Sequence, residues 1–110
     1  MINVSIYKNA ENLITGIKMS GHAMYARHGK DVVCAAVSVL VMNTINSIEN
    51  FTSDRFSLDQ NEKKGFIEFH VISPLSNNCN LLLNSLVLGL YGIEDEYTNK
   101  YIRLTQVKSQ

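Results

Sequence analysis

The sequence has few of the residues from which metal sites and disulfide frameworks are built. It contains 2 cysteines, 3 histidines and 1 proline in 110 residues. The cysteines and histidines show no CxxC or HxxxH spacing, and a closed zinc site needs four converging ligands, so we expect neither a metal nor another cofactor. A phosphate-binding glycine loop and a dinucleotide fingerprint are also missing, which argues against a nucleotide-dependent enzyme.

Excess charge and long hydrophobic runs are missing as well. The 10 basic and 10 acidic residues cancel, which argues against a broad electrostatic surface for nucleic acid or anionic lipid. The longest nearly apolar runs, Val32–Met42 and Leu81–Tyr91, are too short to cross a bilayer. The N-terminus has no basic and apolar regions typical of a secretory signal. We therefore expect a cytoplasmic protein with free thiols and with neither nucleic acid nor a membrane as partner.

The periodicity of the apolar residues predicts an α+β fold. The length favours a single domain over residues 1–110, with enough apolar residues for one core. Residues spaced by three and four predict helices over Val32–Phe51 and about Ser76–Glu96. Alternation predicts strands over Ile2–Tyr7, Leu13–Ser20, Arg55–Asp59, Gly65–Ile72 and Lys100–Val107. The resulting order is ββα-ββα-β, with two helices packed on an antiparallel or mixed sheet.

The segment Gly21–Ser38, GHAMYARHGKDVVCAAVS, contains the strongest indication of function. It places His22 and Cys34 at the two ends of a short, glycine-bounded loop. Cys34 stands where the helical pattern begins, and the positive end of the peptide dipoles there favours a thiolate. An imidazole folded back against this thiolate would complete the active form of a cysteine nucleophile. The segment therefore predicts Cys34 as nucleophile and His22 as general base.

The glycines in this segment predict a flexible loop. Gly21 and Gly29 bracket most of it, so we expect either a lid that moves on substrate binding or ordinary turns. His28 lies in the same loop and is a rival to His22 for the role of base, but its neighbours Arg27, Gly29 and Lys30 indicate a solvated stretch that would hold an imidazole poorly.

Two polar residues near Cys34 are candidates for supporting roles. Asp31 precedes the helical pattern and is interpreted as its N-cap, worth roughly 1 kcal/mol, or as a third residue that orients His22. Ser38 lies one turn after Cys34. Its hydroxyl either bonds back to the Cys34 carbonyl or reaches the substrate.

The remaining reactive side chains are assigned to structure. Cys79 lies on the apolar stripe of the second helix and is interpreted as core. His70 shares a strand face with Glu68 and is interpreted as a sheet-face residue. Met24 and Tyr25 are candidates for the substrate groove only because they are close to His22 in sequence.

The run Gly21–Leu40, GHAMYARHGKDVVCAAVSVL, resembles the ribosomal-processing cysteine proteases called Prp. Their pattern reads approximately GHAxYxxxGxDIVCAAVS, and Val32 stands where that pattern has Ile. The similarity extends to chain length and element order. It implies His22 as base, Cys34 as nucleophile, and supporting roles for the motif positions Gly21, Gly29, Asp31 and Ser38.

The resemblance also implies a substrate and an assembly. It predicts an endopeptidase that removes the N-terminal extension of bacterial large-subunit ribosomal protein number twenty-seven, at a site marked by consecutive Phe residues. It further implies a homodimer in which the glycine-bearing loop moves to admit the substrate.

The expected reaction is acyl transfer. Cys34 attacks the scissile carbonyl, and backbone N–H groups at the start of the first helix stabilise the oxyanion. His22 then protonates the leaving amine, and water hydrolyses the thioester. One alternative is a ribosome-assembly factor that binds the same ribosomal protein without cutting it. A second is a small redox or thioester-handling enzyme, although no resolving cysteine accompanies Cys34.

Overall fold

The computed structural model describes residues 1–21, 28–97 and 101–108; the side chains of residues 28–31 and of residue 62 lie outside that description. Within these residues, five strands and two α-helices follow one another in the predicted order ββα-ββα-β, and a short 3₁₀ turn, Glu62–Lys64, joins the third strand to the fourth. The elements are β1 (Ile2–Lys8), β2 (Ile14–Ser20), α1 (His28–Phe51), β3 (Phe56–Asn61), β4 (Phe66–Val71), α2 (Asn77–Tyr97) and β5 (Ile102–Lys108).

The five strands form one mixed sheet in the order β3-β4-β2-β1-β5. β1 pairs parallel with β5, and the other three pairings are antiparallel. The register aligns Val4 with Met19, and Ile17 with both Ile6 and Phe69, so these apolar side chains share one face of the sheet. All five are buried and belong to the core that the helices cover. The fold is therefore the two-layer α+β arrangement that the sequence predicts.

Both helices bury one stripe against this face. The stripe of α1 consists of Val33, Val37, Val41, Ile45 and Ile48, each no more than 3% exposed. The buried residues of α2 are Cys79, Leu83, Leu86, Val87 and Leu90. By length and composition alone the segment Val32–Phe51 could cross a bilayer. This is weak evidence for a membrane span, because packing on the sheet accounts for the apolar stripe.

Helix α1 begins four residues earlier than the sequence predicts. It starts at His28 and not at Val32, so Gly29 lies inside the helix and does not bracket a loop. Asp31 is the fourth helical residue, which makes its interpretation as the N-cap wrong. Apolar periodicity missed this turn because its residues, His28-Gly29-Lys30-Asp31, include no large apolar side chain. A glycine there costs only about 1 kcal/mol relative to alanine.

A β-bulge shifts the start of β2. Tyr7 pairs with Gly16, but the next residue, Lys8, pairs with Ile14, so the register changes between them. As a result Ile14 is 4% exposed and Leu13 is 38% exposed, the reverse of the predicted alternation. Strict period-2 reasoning assumes an uninterrupted ladder and therefore assigned Leu13 to the buried face.

Candidate active site

Cys34 lies at the border of the buried stripe of α1. Val33 begins that stripe and is fully buried, whereas the neighbouring Cys34 is half-buried. Cys34, Ser38 and Met42 are spaced by four residues, so they lie on successive turns of one helix face. All three line a pocket between α1 and the sheet. The Cys34 thiol is thus accessible from a cavity and is not part of the sealed core.

This cavity, called here the apolar pocket, has a volume of about 310 Å³. That value is at the lower end of the range of about 300–1,000 Å³ typical of ligand sites. Its lining is mainly apolar, and two methionines give it side chains that adapt to different ligand shapes. The lining residues are Met19, Cys34, Ser38, Met42, Gln60, Gly65, Phe66 and Ile67. The pocket therefore suits a large apolar side chain placed next to the thiol.

Ser38 lines the same pocket. Thr44 and Thr52 each donate a hydrogen bond to the carbonyl four residues earlier, at 2.8 and 2.7 Å. Ser38 makes no such bond to Cys34 or to any other residue that the structure describes. Of the two predicted roles, the backbone bond is therefore wrong. The hydroxyl is available to a ligand in the pocket.

Gly21 is required at the end of β2. Its φ is +107°, a backbone conformation that side chains strongly disfavour. A Cβ atom at this position would collide with the carbonyl oxygen of Met1. Gly21 therefore fixes the direction in which the chain leaves the sheet towards position 22.

Several predicted site residues lie outside the described residues. These are His22, Met24 and Tyr25, together with the side chains of His28 and Asp31. Their predicted roles stay predictions.

The position of Cys34 in its helix differs from the prediction. It is the seventh residue of α1 and so lies about 9 Å along the axis from the first residue. The free backbone N–H groups of a helix belong to its first turn, and the effect of the helix dipole falls off within that turn. The amide of Cys34 is therefore not among the oxyanion donors expected at the start of the helix.

Six residues that line the pocket were missed by sequence reasoning: Met19, Met42, Gln60, Gly65, Phe66 and Ile67. The last four come from the end of β3, the turn and the start of β4, about 30 residues after Cys34 in sequence. Only the pairing of β4 with β2, which aligns Ile67 with Met19, brings this region beside α1. No local pattern in the sequence contains that information.

Cys79 occupies the opposite kind of environment. It is 0% exposed and lies in the first turn of α2. Ser76 caps this helix, because its Oγ accepts the Cys79 N–H at 3.1 Å, and the Ser76 N–H donates to Asp54 Oδ2 at 2.8 Å. Burial first, and then the negative charge and hydrogen bond of Asp54, raise the pKa of the Cys79 thiol to about 12. Its assignment to the core is confirmed.

His70 lies on the sheet face opposite the helices. Its Nε2 lies 2.9 Å from Glu68 Oε2, and its ring packs against Tyr7 at 4.8 Å between centroids. The interpretation of His70 as a sheet-face residue is therefore confirmed. Among the described residues, no three His, Cys, Asp or Glu side chains are grouped so that they could hold a metal ion.

A half-buried thiol on a helix, facing an apolar pocket over a five-stranded sheet, defines the class as a small α+β protein with a candidate cysteine active site. The model of the family Cysteine protease Prp matches residues 1–103. The chain therefore belongs to the Prp family of cysteine proteases. It is a cysteine protease of ribosomal processing, and the predicted membership of the Prp family is confirmed.

Individual relatives agree with this membership. The ribosomal processing cysteine protease Prp of Staphylococcus aureus is 37% identical over 106 residues, which cover 94% of this chain and 97% of the relative. Crystal structures of the S. aureus protease match with TM-scores of 0.90 and 0.87 and identities of 31% and 32%. Each match covers 97% of this chain and 100% of the crystallised one. One of those structures contains a substrate peptide and the other a covalently linked product peptide.

Proposed function

We propose that this enzyme removes the N-terminal extension of bacterial large-subunit ribosomal protein number twenty-seven, with Cys34 as nucleophile and His22 as general base. The observation that carries the proposal is the position of the Cys34 thiol on the wall of the apolar pocket. A nucleophile must be reachable by the peptide that it attacks. Among the two cysteines of the chain, Cys34 meets this condition and the buried Cys79 does not.

The lining of the pocket supports a substrate with aromatic residues at the cleavage site. Met19, Met42 and Ile67 offer apolar contacts to a Phe side chain, whose burial from water contributes about 1.5–3 kcal/mol of binding free energy. The Ser38 hydroxyl is the polar group closest to Cys34 along the helix face and orients a backbone carbonyl or amide of the substrate. The peptide complexes of the S. aureus relative support a peptide as the ligand.

The reaction proceeds by acyl transfer through the thiol. The Cys34 sulfur, deprotonated by His22, forms a bond to the scissile carbonyl carbon, and collapse of the tetrahedral intermediate breaks the C–N bond. His22 returns its proton to the leaving amine. Water, activated by His22, then hydrolyses the thioester and releases the second product and the free thiol. The covalently linked product in the S. aureus structure supports an intermediate of this type.

Mass spectrometry of an extended substrate peptide tests the proposal directly. We expect the purified wild-type protein to produce a new N-terminus at the site marked by the consecutive Phe residues. Cys34→Ala and His22→Ala should each lower kcat by about 10³-fold or more, because each removes a group that acts in the transition state. Cys79→Ser is the matched control for a change at a thiol, and at a temperature where it stays folded it should retain activity.

The outcome also separates the alternatives. Binding of the peptide without a new N-terminus would support the non-catalytic assembly factor. Full processing by Cys34→Ala would contradict the assignment of the nucleophile. Turnover of disulfides or acyl thioesters without peptide cleavage would support the redox or thioester-handling enzyme.

The proposal includes a cytoplasmic homodimer. The solvent-facing side of the helical layer offers a surface for a second copy, since Val39, Leu81 and Leu88 are 67%, 67% and 75% exposed. Large apolar side chains that face water are typical of interaction sites when they lie together. Light scattering of the purified protein should give twice the monomer mass, and Leu88→Ser should shift the equilibrium towards the monomer.

A further inference from the structure

The oxyanion that forms during acyl transfer needs a hydrogen-bond donor, and the backbone of Cys34 does not supply one. Effective donors are held about 3 Å from the position that the oxyanion will occupy. Cys34 lies in the second turn of α1, where backbone N–H groups are bonded within the helix. A donor beside the thiol therefore has to come from another residue.

Among the described residues that line the apolar pocket, only Ser38 and Gln60 have a side-chain donor other than the thiol. Ser38 shares a helix face with Cys34, and helical side chains lean towards the N-terminus, so Ser38 belongs to the same wall as the sulfur. Gln60 belongs to β3, in the sheet that forms the other wall. The scissile carbonyl has to lie between the nucleophile and the oxyanion donor, and a donor on the opposite wall meets this condition.

The strand register directs the Gln60 side chain to the helix-facing side of the sheet. Gln60 pairs with Ile67, and Ile67 pairs with Met19, which is buried in the core. Paired residues share one face of a sheet, and alternation places Phe56 and Leu58 on this face of β3 as well. A carboxamide thus stands where the alternation of the strand favours an apolar residue. Such breaks in a local pattern are typical of functional sites.

The donors of the Gln60 carboxamide are available to a ligand. The other carboxamide in a late strand position, that of Gln106, donates to Tyr91 Oη at 3.0 Å. The Gln60 side chain makes no hydrogen bond to any residue that the structure describes. Gln60 is exposed, so water hydrates its carboxamide until a peptide takes the place of that water.

We propose that the Gln60 carboxamide stabilises the oxyanion when Cys34 attacks the scissile carbonyl. The inference rests on the proposed peptidase function and adds a catalytic residue to it. As the sulfur bonds to the carbonyl carbon, the electron pair of the C=O π bond moves to the oxygen. The Gln60 N–H donates a hydrogen bond to that oxygen and transfers no proton. The electron pair returns when the C–N bond breaks, so Gln60 is unchanged after each cycle.

Peptide cleavage by variants of Gln60 tests this role. Gln60→Met removes the donor and keeps the length of the side chain. We expect it to lower kcat by about 10²-fold with little change in KM, because the hydrogen bond forms only in the transition state. Gln60→Glu keeps the shape but adds a charge of the same sign as the oxyanion, so it should lower kcat further.

The matched control is Gln106→Met, which removes a carboxamide from β5 at the other edge of the sheet. It should retain the kcat of the wild type. Equal kcat values for wild type and Gln60→Met, or a change in KM alone, would overturn the inference.

Two other reactions of Cys34 separate oxyanion stabilisation from a change in the thiol. Iodoacetamide is attacked at a saturated carbon and forms no oxyanion, so Cys34 should be alkylated at equal rates in wild type and Gln60→Met. A peptide aldehyde accepts the thiol across its C=O bond and forms a tetrahedral hemithioacetal, so its Ki should rise by about tenfold or more in Gln60→Met. Alkylation that slows by the same factor as kcat would show that Gln60 acts on the thiol, and would overturn the inference.

The peptide aldehyde also keeps the two proposals distinguishable, because its binding requires no cleavage. Weaker aldehyde binding by Gln60→Met, with no peptide cleavage by the wild type, would support the donor role of Gln60 and contradict the peptidase. Cleavage by the wild type, with equal kcat and equal aldehyde affinity in Gln60→Met, would contradict the role of Gln60 alone.

Discussion

The two cysteines of this chain lie near the starts of the two helices, but in opposite environments. Cys34 is the seventh residue of α1 and lines the apolar pocket. Cys79 is the third residue of α2 and is fully buried. By helix position alone Cys79 would be the better thiolate, because the dipole acts mainly within the first turn.

The surroundings of the two thiols reverse that order. Burial and the adjacent Asp54 carboxylate hold Cys79 in its protonated form, with a pKa of about 12. At neutral pH Cys79 is therefore a poor nucleophile, and no peptide can reach it. Cys34 is farther from the helix terminus but is open to a cavity with a hydroxyl and apolar walls. Access and neighbouring charge decide which cysteine can react, and helix position does not.

Alkylation should show the largest difference between the two thiols. With iodoacetamide at pH 8, Cys34 should react in the native protein, whereas Cys79 should react only when the protein opens. For a domain that is stable by about 5 kcal/mol, global opening alone slows the reaction at Cys79 by more than about 10³-fold. Peptide mapping by mass spectrometry over time measures both rates. Comparable alkylation rates of Cys34 and Cys79 in the native protein would contradict this difference in access. Alkylation in urea, which exposes both thiols, gives the reference rate for each cysteine.

Truncation of each thiol should produce a smaller, complementary difference in stability. Cys79→Ala leaves a cavity in the core and should lower the free energy of unfolding by about 1–2 kcal/mol. Cys34→Ala removes a half-buried group at a pocket and should change it by less than about 0.5 kcal/mol. Urea unfolding at pH 7 followed by circular dichroism provides both values.

The pH dependence gives a second readout of Cys79. Its pKa is raised from 9.0 to about 12 by folding, so its contribution to stability is fully present below pH 9.0 and is lost as the pH rises towards 12. Cys79→Ala should lack this component of the alkaline loss of stability. An identical loss in Cys34→Ala and Cys79→Ala would show that other groups cause it.

The sequence predicted the element order because each element has a clear apolar period. The alternation in β1 and the stripes of α1 and α2 are local patterns, and each matches its burial in the structure. The errors lie where no local sequence pattern determines the structure. The first turn of α1 contains no large apolar residue, and the bulge opposite Tyr7 depends on the partner strand. Register and capping are tertiary properties, so periodicity does not determine them.

The sequence predicted the reactive cysteine of the candidate site but not most of the residues that line its pocket. Cys34 and Ser38 belong to one continuous motif, and the structure places both on the apolar pocket. Gln60 and Phe66 reach that pocket only through strand pairing, and nothing near them in sequence indicates a link to Cys34. A sequence motif identifies the reactive group that lies within it. It does not identify pocket residues that come from a strand distant in sequence.

Asp54 connects the end of α1 to the capped start of α2. Asp54→Ala removes the acceptor of the Ser76 N–H and should lower the free energy of unfolding by about 1 kcal/mol. Asp54→Asn keeps a carbonyl acceptor and should cost less. It also removes the negative charge beside Cys79, so the rate of Cys79 alkylation during partial unfolding should rise at alkaline pH.

The pH dependence of the free energy of unfolding distinguishes the effect of the Asp54 charge from the effect of its side-chain packing. Burial alone would raise the pKa of Asp54, but hydrogen bonds from Ser76, and less from Cys79 and Thr52, outweigh it and hold the pKa below 3.8. The stabilisation is fully present above pH 3.8 and is lost as the pH falls through the lowered pKa. Urea unfolding at pH 7 and pH 3 should show a smaller acid loss in both variants than in wild type. The same pH dependence of unfolding in wild type, Asp54→Ala and Asp54→Asn would mean that the charge of Asp54 does not stabilise the start of α2.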